Sequence, residues 1–243
     1  CIRDSGGSMD PIPAYNSNGL GLTNDLDALG AEAESLIAEG DFNMAKVRLG
    51  RDTLELDIAA FRAVRAAVGD DILLPVDFNQ GLDLDEALKR GKALDAENVY
   101  WIEEAIAYDN LEGYAQLTAE VNTPNQIGEN FHGPMDFSHA IAAKACNFSM
   151  PDLQRIGGVT GWLCAMAIAA DADMPMSSHI FPEFPAHVMT VTPTAHWLEY
   201  TSWANPIIAE PITIQGGHAI IPDRPGVGLA WDEAAVATYQ VDV

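Results

Sequence analysis

Six ionisable side chains recur along this chain at intervals of 20–27 residues, each near the end of a short apolar run: Asp77, Glu103, Glu129, Asp152, His179 and Glu199. A strand, a helix and two loops take up about that much chain, so the pattern predicts a repeated βα unit with one chemical group per repeat. Eight runs qualify as strands: 12–15, 44–49, 72–78, 99–104, 125–130, 147–152, 175–181 and 195–200. Helical spacing lies between them. Leu54, Ile58, Phe61, Val64 and Val68 draw one stripe, with Asp52 and Thr53 as candidate caps and Gly69 past its end. Residues 83–95 repeat the pattern, and 159–170 are apolar nearly all round, which predicts a short helix buried against its neighbours.

Alternating strands and helices imply a parallel sheet, and eight strands favour closure into a barrel over an open α/β sheet. In a closed barrel all the strand ends meet at one face, where such folds keep their chemistry. The 243 residues suit one barrel of about 250. No linker or low-complexity stretch divides them. We expect one catalytic domain over 1–243, with barrel strands over about 12–200 and a hairpin and tail over 201–243.

The charge balance excludes some partners. With 36 acids against 12 bases the net charge is −24, which repels nucleic acid and anionic membranes. No apolar run approaches the roughly 18 residues of a membrane span, and the first residues contain no apolar signal core. Cys1, Cys146 and Cys164 are odd in number and far apart, which suits a reducing, cytoplasmic setting and neither a disulfide framework nor a zinc site.

Asp77, Glu103 and Glu129 lie in VDFNQ, WIEE and IGEN. Three carboxylates without thiolates define a hard oxygen site, hence Mg²⁺ or Mn²⁺. Taken singly, each acid is more simply a strand-end cap; three at matched spacing need a cation to share. Asp152 and His179 end consecutive strands, so the carboxylate is expected beside the imidazole, fixing its tautomer and raising its basicity. The histidines at 132, 139, 187, 196 and 218 have no such partner and are read as structural. Lys46 and Arg48, two apart on one strand, face the same way, into the barrel, and suggest an anionic small-molecule substrate.

In order along the chain, VDFNQ, WIEE, IGEN, MPDLQRIGGVTGW, MPMSSHIFPEFPAH, TPTAHWLE and GGHAIIPDRPGVG resemble the mandelate racemase subgroup of the enolase superfamily over about 14–231. The resemblance implies a (β/α)8 TIM-type barrel and proton abstraction α to the carboxylate of a 2-hydroxy acid through an enediolate, giving racemisation or dehydration. It implies Mg²⁺ on Asp77, Glu103 and Glu129, a His179–Asp152 acid/base, and a protonated Glu199 hydrogen-bonding the substrate carboxylate. Asn79 would meet the substrate hydroxyl and Lys46 its carboxylate, and a homo-oligomer is expected. Three departures stand out, the first being WIEEA where the family has WIEEP, a loop change without evident chemical consequence. The family's N-terminal capping domain has no counterpart in these residues, so the chain reads as a barrel without its cap. The family's Lys-x-Lys is Lys46-Val47-Arg48 here.

Racemisation needs a base on each face of the α-carbon. Arginine, with a pKa of about 12.5–13.8, is not one near neutral pH. Arg48 is therefore expected to act as a fixed charge or donor. His179 then remains as the single base, which suits an acid-sugar dehydratase. A truncated, inactive barrel that binds metal and ligand without turnover is the alternative from outside catalysis.

Overall fold

The structure is a computed structural model describing residues 6–241. Cys1 and the residues around it lie outside them. Seven of the eight expected strands form: β1 (Ile12–Asn16), β2 (Val47–Arg48), β3 (Val76–Asp77), β4 (Ile102–Glu103), β5 (Asn125–Ile127), β6 (Phe148–Ser149) and β7 (Leu198–Tyr200). Helices α1 (Leu26–Ala38), α2 (Leu54–Val68), α3 (Leu84–Leu94), α4 (Leu111–Glu120), α5 (Pro134–Ala142) and α6 (Gly158–Asp171) lie between them. The first four begin on a side-chain cap. Asp25, Thr53, Asp83 and Asn110 accept from the amides of Ala28, Leu56, Glu86 and Gly113, satisfying donors that a helix start leaves open.

The strands make two sheets and not one continuous ring. β2-β3-β4-β5-β6 are parallel neighbours; two further strands, β8 (Thr213–Gln215) and β9 (His218–Ile220), complete the second sheet, in the order β7-β1-β9-β8. β8 and β9 form a hairpin that turns through Gly216 and Gly217 at φ 55° and 70°. A short helix α7 (Pro185–Met189) precedes β7, and α8 (Glu233–Tyr239) ends the described chain. Single bridges, Asn16 with Ala45, Ser149 with Met176 and Met176 with Ala195, link the two sheets. The expected seventh strand, 175–181, forms only such bridges. Pro175 has no amide hydrogen for a ladder, and Ile180 and Phe181 sit at φ 34° and 45°, off the extended region.

Helix α6 packs against its neighbours along one face: Gly161, Trp162, Ala165 and Ala169 meet the core, while Val159 and Cys164 are exposed. Its apolar residues outnumber the positions its neighbours can cover.

The main core lies between strands and helices. A smaller one, Tyr15, Met44 and Trp101 with Tyr100, Phe148 and Trp197 packed against it, lies apart from it. No helix among the described residues is long and apolar enough to cross a membrane.

Candidate active site

Strand register assembles the site. Arg48 pairs across with Asp77, Asp77 with Glu103, and Glu103 with Gln126, so four polar residues stand in one row over four strands. In a parallel ladder, paired residues share a face. Lys46, two residues before Arg48, joins that face. Tyr15 and Glu199 pair in the other sheet, and Lys46 reaches across to Glu199.

Ligand oxygens of Asp77, Glu103 and Glu129 lie within 4.8 Å of one another. Asp77 and Glu103 are fully buried. Each acid meets a basic side chain of this chain: Asp77 pairs with Arg48, Glu103 with Lys46, and Glu129 Oε2 lies 3.2 Å from His179 Nε2. Lys46 Nζ also donates to Glu199 Oε1 at 2.7 Å and lies 3.3 Å from Asp77 Oδ2. Asn79 donates its amide to Asp77 Oδ1 at 2.7 Å and its side chain to Oδ2 at 3.2 Å.

The acid/base pair expected from sequence comes together. His179 Nδ1 is 2.9 Å from Asp152 Oδ2, and Asp152 Oδ1 accepts the Gln154 and Arg155 amides. Burial opposes charge on the His179 ring, but its bonds to Asp152 and Glu129, with the charge of Glu199, outweigh that and raise it to about 10. Burial likewise works against ionising Asp152, yet the His179 contact and the loop amides hold it below its ordinary value.

The acids around Lys46 divide unequally. Burial raises Glu103 to about 8, with Lys46 pulling the other way. Burial would also raise Glu199, but Lys46, His179 and the Ile180 amide at 2.7 Å hold it well below the carboxylate range. The buried Lys46 ammonium, 2.7 Å from Glu199 Oε1, is the main cause of that lowering. Lys46 is raised despite its burial by Glu103, Glu199 and Asp77, and Arg48 is raised by Asp77 and the same two glutamates. Both stay cationic.

Sequence reasoning missed several contributors. Glu104 is a fully buried carboxylate at φ 42° that accepts from the Gly128 amide at 3.1 Å and Asn130 Nδ2 at 3.2 Å. It thereby clamps the turn carrying Glu129, and burial with the nearby Glu129 charge raises it to about 8. Trp101 Nε1 and Gln126 Nε2 both donate to Glu103 Oε2. The doubled acid of WIEE and the i, i+2 spacing of Trp101 and Glu103 were the available signals. Six carboxylates, Asp77, Glu103, Glu104, Glu129, Asp152 and Glu199, thus surround three basic groups. The surplus of oxygen ligands and negative charge fits a hard divalent cation at the triad.

Residues 28–235 match the family described as Enolase C-terminal domain-like. The chain belongs to that family. It is 32% identical to L-talarate/galactarate dehydratase of Salmonella typhimurium over 95% of this chain and 58% of that protein. A solved enolase from alpha pretobacterium bal199 with bound Mg superposes at a TM-score of 0.95 and 50% identity, covering 98% of this chain and 66% of that one. An enolase from Bradyrhizobium complexed with magnesium and mandelic acid superposes at 0.93 and 43% identity, covering 99% and 66%. The chain thus spans about three-fifths to two-thirds of the length of these family members. The resemblance read from the motifs is borne out at the level of the superfamily.

Proposed function

We propose that this chain forms the catalytic part of a Mg²⁺-dependent enzyme that removes the proton α to the carboxylate of a 2-hydroxy acid. The observation that carries the reading is the His179–Asp152 pair facing a carboxylate triad, with two fixed cations in the same pocket. Asp77, Glu103 and Glu129 would hold the metal. Bound there, Mg²⁺, or Mn²⁺ in its place, would add positive charge beside the substrate carboxylate and so make the α-proton more acidic.

His179 Nδ1 is committed to Asp152, so Nε2 is the atom that would take the proton, on the neutral ring that forms once Glu129 is engaged by the metal and no longer holds Nε2 protonated. Asp152 holds the ring in that tautomer and balances the imidazolium. Lys46 supplies a fixed positive charge toward the substrate carboxylate, Glu199 in its protonated form a hydrogen bond donated to it, and Asn79 a contact for the 2-hydroxyl. Arg48 holds its proton tightly and supplies no second base. Proton removal on one face only, followed by loss of a β-hydroxyl as water, makes dehydration of a polyhydroxy acid the favoured outcome. The likeness to the Salmonella dehydratase supports it.

A second reading, racemisation, is favoured by one observation. The Bradyrhizobium relative holds mandelic acid, whose β-carbon is part of an aromatic ring and carries no hydroxyl to expel. Exchange of the α-proton in D₂O with Mg²⁺, across mandelic acid and polyhydroxy acids, tests both. We expect exchange of one enantiomer, lost about 10²–10⁴-fold in His179→Asn. Exchange of both enantiomers at similar rates selects racemisation. Exchange retained in His179→Asn rejects His179 as the base.

A further inference from the structure

Each member of the carboxylate triad is already bound to a cation of the protein itself, and the three cations differ in how free they are to leave. Lys46 is buried and shared between Glu103 and Glu199. His179 is anchored on its far side by Asp152. Arg48 is the most exposed of the three, with 21% of its side chain accessible against 10% for His179. It also has neutral acceptors within reach of the same guanidinium: Asn79 Oδ1 lies 3.3 Å from Nη1 and Ser17 Oγ 3.4 Å from Nη2.

Both oxygens of Asp77 have partners, and Oδ2 is the crowded one. Oδ1 accepts the Asn79 amide, while Oδ2 accepts from Arg48 and the Asn79 side chain and faces Lys46 at 3.3 Å. A cation that ligates Asp77 through Oδ2 must take a lone pair now given to one of these donors. We infer that Arg48 is a built-in competitor for the metal centre: its guanidinium holds Asp77 when no metal is bound, and Mg²⁺ binds by displacing it onto Asn79 and Ser17. The inference rests on the metal-binding reading above and adds to it a residue that sets the affinity.

The backbone supports displacement by side-chain rotation and not by strand movement. The Arg48 amide donates to Leu20 O at 3.0 Å, and Arg51 Nη1 donates to Arg48 O at 3.0 Å. Arg51 is in turn fastened to Asp57, which accepts the Gly50 and Arg51 amides and pairs with buried Arg90. The strand end is thus clamped while the guanidinium is not. A planar fork of donors can pass from a carboxylate to two neutral oxygens without leaving the pocket, which a lysine ammonium, a compact point charge, does less readily. The charge then stays beside the metal site after the exchange, where it faces substrate.

Calorimetric titration of Mg²⁺ into the protein and into Arg48→Met tests this, together with ¹⁵N spectra of arginine side chains in the unsubstituted protein. Methionine keeps much of the stem volume and removes the donor. The expected result is Mg²⁺ binding tightened tenfold or more in Arg48→Met. In the unsubstituted protein, the Arg48 guanidinium signals should shift over the same Mg²⁺ range as the binding isotherm. Equal or weaker binding by a folded Arg48→Met protein overturns the inference and leaves the metal reading standing. So do guanidinium signals that stay unchanged while Mg²⁺ saturates. No binding in either protein overturns the metal reading itself, and this inference with it. The spectroscopic arm needs no substitution, so it decides the matter even where Arg48→Met does not fold.

Discussion

Three carboxylates, Asp152, Glu129 and Glu199, act on the single ring of His179, two by hydrogen bond and one by charge. Its pKa of about 10 in the folded, metal-free protein lies above the ordinary 6.5. A group raised on folding stabilises fully below its unfolded pKa, and the contribution is lost as pH rises through the folded one. The metal-free protein should therefore lose stability between about pH 6.5 and 10 from this residue. NMR titration of the imidazole should find it still protonated at pH 8. Glu129→Gln should bring the midpoint down, because it removes a charged acceptor 3.2 Å from Nε2. A midpoint at or below 6.5 in the metal-free protein would reject the arrangement. The pairing of His179 with Asp152 was readable in advance because both close consecutive apolar runs. Glu104 and Gln126 were not. Neither ends its run in a way that separates a site residue from an ordinary cap, and their contacts come from strand register, which no single run encodes.

Helices were read more securely than strands, for a physical reason. The stripe from Leu54 to Val68 is fifteen residues of one periodicity, bounded by Thr53 and Gly69, and the helix begins and ends there. The ladders run for only two or three residues at most positions. An apolar run of six or seven residues predicts that a strand exists, but it does not predict how little of it will pair. The segment 175–181 shows the limit: its composition reads as a strand, but Pro175 and the left-handed Ile180 and Phe181 break the ladder. Those two residues carry bulky side chains at positive φ immediately after His179, a costly conformation that positions the Ile180 amide on Glu199. The caps permit a sharper test. Thr53 accepts the Leu56 amide at 3.3 Å at the head of α2. Thr53→Ala should cost about 1 kcal/mol in urea unfolding with the slope unchanged. A change within error of zero would show that the bond contributes nothing at this exposed helix start.

Across the whole molecule, a net charge of −24 and a pocket with six carboxylates against three bases both penalise the folded state through self-repulsion. These two penalties answer to different ions. Diffuse surface repulsion is screened by any salt within a Debye length of about 10 Å at 0.1 M. The triad is buried, so screening reaches it poorly, and only a cation that enters relieves it. Magnesium should therefore raise the melting temperature well beyond sodium chloride of equal ionic strength. A ligand at a hundred times its Kd adds about 2.7 kcal/mol to the folded state. Glu129→Gln should erase the magnesium-specific part and keep the response to sodium chloride, because it removes a ligand but one charge in 36 acids. Thermal melts of both proteins in matched series decide it. If magnesium and sodium chloride stabilise the unsubstituted protein equally, the acids of the pocket behave as surface charge, and the metal assignment to Asp77, Glu103 and Glu129 falls.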